Sequence, residues 1–289
     1  MSQQLIAYLP THGQLKKVVR IFKEKGMPGV WGALSPYLLN FMRTTKGRWE
    51  AGKFNEVRFW DDYFRTKGLQ WPANYVNRLN PESLLQARVA ALLPEGPEVS
   101  ILDVGAGPLT YLGKKYPGNK VNIVAVDPLA DEYDSILRKY GVIPPVRTVK
   151  AAAEEIAGHF APNTFDLVFA RNCMDHAYAP VEAIGQMLRV AKHGGYVMLE
   201  HTPNEADNHG HSGLHQWNFS TDDEGEFVVT GRRGRGVNVT ERFSQEASTG
   251  CEYIVDADGA NWLVVTMRKH SAGLHMLGGA VVQHTYIEN

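Results

Sequence analysis

Between residues 98 and 200 short apolar runs alternate with amphipathic stretches, and this is the clearest pattern in the chain. Val99 to Val104, Val121 to Val126, Val146 to Val149, Phe165 to Ala170 and Tyr196 to Leu199 are the apolar runs. Runs this short, rich in β-branched and aromatic residues, read as strands. The stretches near 129–140, 152–160 and 180–191 have helical spacing. Near-continuous apolar strands separated by helices predict a parallel sheet covered on both faces. Farther along, Glu252 to Asp256 and Trp262 to Met267 flank Ala257-Asp258-Gly259-Ala260, which predicts an antiparallel hairpin. The expected fold class is α/β, a mixed sheet with an antiparallel last strand, flanked by helices. Residues 1–95 read as a mainly helical cap. Residues 96–268 form the main domain, with a polar, weakly periodic insertion at about 201–237, and 269–289 are a tail.

Composition narrows the class. A 44% hydrophobic and 21% charged chain of 289 residues is globular rather than disordered. The net charge of −1 gives no global reason to expect nucleic acid as a partner. Cys173 and Cys251 match no zinc or redox spacing, so a reducing, cytoplasmic compartment is expected. No apolar run approaches the ~20 residues that span a bilayer, and the N-terminus lacks the layout of a secretory signal.

The first strand ends in Asp103-Val104-Gly105-Ala106-Gly107-Pro108. A strand that runs through Gly-x-Gly into a helix lets the backbone approach a nucleotide at the helix N-terminus. Two residues sharpen this general signal. Asp103 at the mouth of the strand repels a pyrophosphate and suits a cationic group such as an amino-acid ammonium. Asp127, at the end of the second strand, suits ribose hydroxyls. A ribose, no phosphates and a cationic amino-acid end describe S-adenosylmethionine. The bland reading is a glycine turn beside a surface aspartate.

Residues 98–200 resemble the class I, Rossmann-like S-adenosylmethionine methyltransferases, especially those acting on small molecules and on sugars in polysaccharide biosynthesis. Ile101 to Gly107 resembles the family's first motif and Val126-Asp127-Pro128 its ribose-binding motif. Ala152-Ala153-Glu154-Glu155 resembles the adenine segment, and Phe165 to Asn172 with Met174-Asp175-His176 the fourth strand and its turn. Leu188 to Gly195 resembles the entry to strand five, and the terminal hairpin matches strands six and seven. The resemblance implies a seven-stranded sheet and S-adenosylmethionine as cofactor, bound by Asp103, Gly105, Ala106, Gly107, Asp127, Pro128, Ala153, Glu154 and Asn172. The chain departs from the family at Leu109 or Thr110, where a third glycine is common, and at Ala152, where an adenine-binding aspartate is common. A non-catalytic protein that keeps the fold is the alternative these departures favour.

Methyl transfer to a hydroxyl gains from a general base, and histidine suits that task. His176, His201 and His215 are the candidates; His209 and His211 lie nearby. The run Gly213 to Phe219 mixes aromatic, amide and imidazole groups, which suits a polyhydroxylated acceptor at Gln216, Trp217 and Asn218. O-methylation of a sugar or polysaccharide precursor is the expected reaction, with O- or N-methylation of another small metabolite as the alternative. The histidines equally read as loop residues with ordinary hydrogen bonds, and His176 and Asn172 as turn residues. A metal held by the histidines with Glu200 or Asp207 matches no known spacing, and no metal is expected.

Before the sheet, Leu15, Val18, Val19 and Phe22 make residues 14–24 a basic amphipathic helix, followed by the apolar stretch Met27 to Met42. Residues 14–42 read as a packed cap, as a homodimer contact, or as a weak peripheral contact with the inner face of a membrane. Trp60 and Tyr63 either roof the cofactor site or pack in the core.

Overall fold

The computed structural model describes residues 45–232, 236–256 and 259–271. The basic helix at 14–24 and the membrane and dimer contacts expected of 14–42 lie outside the described residues, as does most of the tail. Among the described residues no helix is long and apolar enough to cross a membrane.

Among the described residues three helices come first: α1 (Thr45–Arg65), α2 (Pro72–Leu79) and α3 (Ala87–Ala90). The main sheet then starts with β1 (Glu98–Val104) and β2 (Lys120–Asp127), followed by α4 (Ala130–Tyr140) and β3 (Thr148–Lys150). A 3-10 helix at Ala153–Gly158 leads to β4 (Phe165–Arg171), and a 3-10 turn at Met174–His176 leads to α5 (Pro180–Val190) and β5 (Ala191–His201). The insertion holds α6 (Glu205–Asn208), β6 (Trp217–Thr221), β7 (Phe227–Gly231), β8 (Val237–Asn238) and α7 (Val239–Arg242). A hairpin of β9 (Ala247–Val255) and β10 (Asn261–Lys269) ends the described chain.

The seven-stranded sheet has the order β3-β2-β1-β4-β5-β10-β9. The pairs among β1 to β5 are parallel, and β10 is antiparallel to both β5 and β9. The predicted Rossmann-like mixed sheet is therefore the fold. Strand order reverses between β1 and β4, so the ligand crevice lies beyond the C-terminal ends of those two strands. Every residue from Phe165 to Ala170 is buried, because β4 is covered on both faces. On one face Ala183, Ile184, Met187 and Leu188 of α5 meet Val168, Ala170, Val197 and Leu199. On the other, Leu85, Val89 and Leu112 cover Ile101, Leu167 and Phe169. Each of these large side chains contributes about 1.5–3 kcal/mol by leaving water. Helix α1 packs Trp60, Tyr63 and Phe64 against Leu129, Tyr133, Ile136 and Leu137, on the edge where the crevice opens.

Four features depart from the sequence expectation. Stretch 152–160 is a 3-10 helix rather than an α-helix. Strand five is longer than predicted and runs from Ala191, with a register irregularity against β4 at Phe165 to Leu167. The insertion is not irregular but builds a three-stranded sheet, β6-β7-β8. Phe219, Phe227 and Val229 from this sheet join the main core, which is what orders the segment.

The fourth departure matters most for the site: no helix follows the glycine loop. Residues 105–119 are irregular, and several of their backbone groups pair with the segment before the sheet. Arg78 Nη1 donates to Leu109 O (2.6 Å), Gln86 Nε2 donates to Tyr111 O (2.9 Å), and Leu85 N donates to Lys115 O (2.8 Å). Lys114 N and Lys115 N both donate to Ser83 O, at 2.7 and 2.9 Å. Those bonds take the donors and acceptors that a helix would pair internally. Gly113 makes the contact sterically feasible, since a Cβ there would lie 1.9 Å from Leu84 O.

Candidate active site

The glycine loop folds back over the ends of β1 and β2. Gly105 N and Ala106 N both donate to Val126 O, at 2.8 and 3.1 Å, and Thr148 Oγ1 donates to Gly107 O at 2.6 Å. Gly105 and Gly107 have φ of 67° and 63°, the left-handed region where side chains are strained. Space forbids a side chain there too. A Cβ on Gly107 would lie 2.7 Å from Trp60 Cζ2, and one on Gly105 would lie 2.5 Å from Cys173 Sγ. Trp60 thus roofs the loop from α1, and its Nε1 donates to Glu56 Oε1 at 2.8 Å. Tyr63, beside it, is turned into the α1–α4 core, with its hydroxyl on Asn74 Oδ1 at 3.2 Å.

Two buried carboxyl groups stand at the strand ends. Asp127 Oδ2 accepts from Gly107 N (3.1 Å) and Oδ1 from Leu129 N (2.9 Å). Burial pushes its pKa up to about 7; the two N–H groups oppose the rise, and the negative charges of Glu56 and Asp103 add to it. Each oxygen keeps a lone pair for a further donor, which is what paired ribose hydroxyls supply. Asp103 accepts a short hydrogen bond from Thr110 Oγ1. Burial raises its pKa to about 6, against the pull of that bond and of the Arg78 and Lys114 charges. Asp103 therefore faces two cations of the chain itself as well as any cationic ligand group. The donor set fits a nucleoside-bearing cofactor held by hydroxyls.

The other residues expected on the cofactor side are tied into the frame. Pro128 is half-buried behind Asp127, and Ala153 begins the 3-10 helix. Glu154 Oε1 accepts from Ala179 N at 3.0 Å, linking that helix to the start of α5, and burial raises its pKa. Asn172 has φ of 46°, donates its N–H to Glu200 O (2.8 Å), and accepts from Thr202 N through Oδ1 (3.2 Å). Its side chain joins the ends of β4 and β5.

Beside this pocket the turn after β4 meets the loop after α6. Asp175 Oδ2 lies 2.7 Å from His215 Nδ1. His176 Nε2 lies 3.2 Å from the same nitrogen and 3.5 Å from Asp175 Oδ2. Two ties fix the loops against each other: Gln216 N donates to Asp175 O (3.2 Å) and Trp217 Nε1 to Ala177 O (2.7 Å). Asp175 is buried, which opposes its charge, yet His176 and His215 together hold its pKa down to about 2. For His215, burial works against the cation, but the hydrogen bond and charge of Asp175 outweigh it and raise the pKa. His209 stacks on His215 with ring centroids 4.1 Å apart, and its Nε2 lies 3.0 Å from Glu205 Oε1. Glu56 Oε2 reaches to 3.9 Å from His176 Nδ1.

The other expected acceptor and catalytic residues sit elsewhere. His201, at the end of β5, is buried against Phe219 with ring centroids 4.6 Å apart. Burial lowers its pKa to about 4, so it is neutral at pH 7. Gln216 Nε2 donates to Gly213 O and His211 O, and Asn218 Oδ1 accepts from Asp207 N, so both amides brace the loop. Trp217 packs on the core and against Gly231. Glu200, weighed as a metal ligand, instead pairs with Arg171 and, at 3.2 Å, with Arg88. Arg171 is itself sandwiched between Tyr111 and Trp262. Sequence reading did not single out Glu56, Arg78 or Glu205; the one signal for Glu56 is its place four residues before Trp60.

A family model described as a methyltransferase domain matches residues 102–199. A search of curated proteins finds no match. Among solved structures, a chain of the Haloferax volcanii complex between the Trm112 methyltransferase activator and a methyltransferase is similar at 15% identity and a TM-score of 0.51, covering 74% of this chain and 98% of that one. The Burkholderia thailandensis 1,6-didemethyltoxoflavin-N1-methyltransferase, with S-adenosylhomocysteine bound, is similar at 16% identity and a TM-score of 0.40, covering 76% and 90%. A Thermotoga maritima SAM-dependent methyltransferase is similar at 18% identity and a TM-score of 0.44, covering 74% and 97%. At its identity the first likeness shows the fold alone. The sheet order is that of the Rossmann-like methyltransferase fold and residues 102–199 match a methyltransferase domain, so the chain is a methyl-transferring enzyme.

Proposed function

We propose that this enzyme O-methylates a sugar or polysaccharide precursor, with His215 as the general base. The observation that carries the reading is the 2.7 Å contact between Asp175 Oδ2 and His215 Nδ1. With the Nδ1 proton donated to Asp175, the lone pair resides on Nε2. An alcohol needs such a base because it is a poor nucleophile at neutral pH, whereas a neutral amine does not. The dyad therefore favours oxygen over nitrogen as the methylated atom. Glu56, Glu205 and His209 stand around the dyad and offer the hydrogen-bonding groups that sugar hydroxyls match.

When bound, S-adenosylmethionine supplies a methyl group activated by its sulfonium charge. Asp127 would accept the ribose hydroxyls, the backbone of Gly105, Ala106 and Gly107 would permit close approach, and Trp60 would close the loop to water. Asp103 is assigned to the cationic amino-acid end. His215 Nε2 would take the acceptor's hydroxyl proton as the oxygen–methyl bond forms and the methyl–sulfur bond breaks, leaving a neutral thioether, and Asp175 would hold the resulting imidazolium.

Labelled cofactor incubated with hydroxylated and amine acceptors tests the reading. Label is expected in ethers of hydroxylated compounds; transfer to amines alone sinks it. His215→Ala is expected to lower kcat about 100-fold while leaving cofactor affinity within about twofold. A near-normal rate returns His215 to the role of a loop residue.

A further inference from the structure

Asp175 Oδ2, His176 Nε2 and His215 Nδ1 form a triangle with edges of 2.7, 3.2 and 3.5 Å. Protons do not satisfy it. The single proton of His215 Nδ1 points at either Asp175 or His176, so one of two close contacts lacks good hydrogen-bond geometry. A cation satisfies all three atoms at once. A point about 2.1 Å from each of them, the ordinary length of a bond from zinc to nitrogen or carboxylate oxygen, lies about 1 Å out of their plane. Such a position leaves coordination places open on the far side.

Three further observations point the same way. Asp175 is 1% exposed, and its second oxygen, Oδ1, is buried with no hydrogen-bond partner among the described residues. The two loops that carry the ligands are already pinned by Gln216 N and Trp217 Nε1, so little ordering remains for binding to cost. Glu56 Oε2 stands on the Nδ1 side of His176, the side where a carboxylate supports a ligating imidazole.

We propose that Asp175, His176 and His215 form a site for a borderline divalent cation of the zinc or cobalt type, and that its occupation switches off proton abstraction. Two imidazoles and one carboxylate favour such cations over magnesium or calcium. The switch rests on the reading of His215 as the base. A cation on Nδ1 takes the lone pair there, the ring's single proton moves to Nε2, and Nε2 then has no lone pair to offer a hydroxyl. Zinc and the acceptor's proton thus compete for one imidazole.

The test uses the full chain stripped of metal by a chelator. Cobalt binding is followed by its visible absorption and zinc binding by calorimetry, with thermal unfolding to verify that each variant is folded. One high-affinity equivalent is expected, weakened tenfold or more in Asp175→Asn and in His176→Gln and retained in His209→Ala. Methyl transfer should fall with zinc occupancy and return on chelation. Failure to bind one equivalent, or binding that survives both Asp175→Asn and His176→Gln, overturns the site and leaves the base reading standing. Binding at these residues that accelerates transfer overturns the switch and the His215 base together, while the site stands.

Discussion

Asp127→Asn isolates the part of cofactor binding that depends on a buried charge. Asp127 titrates near 7 in the protein, against an ordinary value of 3.8. A shift of that size represents about 4 kcal/mol of penalty on the charged form. Two ribose hydroxyls donating to the carboxylate favour the charged form and bring its pKa back down. For a group whose pKa is high in the free protein and lower in the complex, binding releases a proton, so affinity rises with pH. If the pKa in the complex returns to the ordinary value, the Kd tightens about 30-fold between pH 5.5 and 8.5. Asparagine keeps one acceptor and loses the charge. Its affinity should be roughly 10- to 100-fold weaker at the upper pH, and its pH dependence should lack this component. Calorimetry with S-adenosylhomocysteine across that range gives both slopes, and the variant's slope accounts for titration of the ligand's own amino group. Equal slopes in the two proteins would refute the assignment of Asp127 as the ribose acceptor.

Three more substitutions probe the frame of the site. Gly113→Ala would drive a Cβ to 1.9 Å from the Leu84 carbonyl oxygen, and backbone cannot swing aside; a loss of roughly 3 kcal/mol or more is expected in denaturant unfolding, and a loss below 1 kcal/mol would mean the loop does not lie on residues 83–86. Glu200→Ala leaves Arg171, which is mostly buried, without its partner carboxylate; a loss of roughly 3 kcal/mol is expected by the same measurement, whereas Arg88, more exposed, should matter little when replaced by alanine.

The sheet was legible because burial on both faces leaves its own mark: β1, β2 and β4 are nearly continuous apolar runs. The insertion was not legible as a sheet, since outward polar residues dilute the alternation of Phe219, Phe227 and Val229. Its turn, Asp222-Asp223-Glu224-Gly225, was the available signal. The helix expected after Gly107 failed for a tertiary reason, because the bonds that replace it come from residues 25 or more positions earlier. That Asp103 and Asp127 stand at strand ends was legible from the apolar runs before them. The pairing of Asp175 with His215 spans 40 residues and carries no periodicity, so only the folded chain brings the two together. The amides of Gln216 and Asn218 have a composition suited to a sugar site, but composition says nothing about which way a side chain turns.

The irregular stretch after Gly107 has one more implication, for how the enzyme is cut. A boundary between residues 95 and 96 separates the cap from the sheet neatly on paper, and the matched domain begins later still, at residue 102. Yet Arg78, Ser83, Leu85 and Gln86 hold the cofactor loop in shape, and Trp60 is its roof. A truncated protein starting at either boundary keeps every glycine of the loop and loses the scaffold that gives those glycines their conformation. The smallest unit that keeps the loop in shape is therefore larger than the smallest recognisable one, and residues 60–86 belong with the glycine loop as much as the strands do.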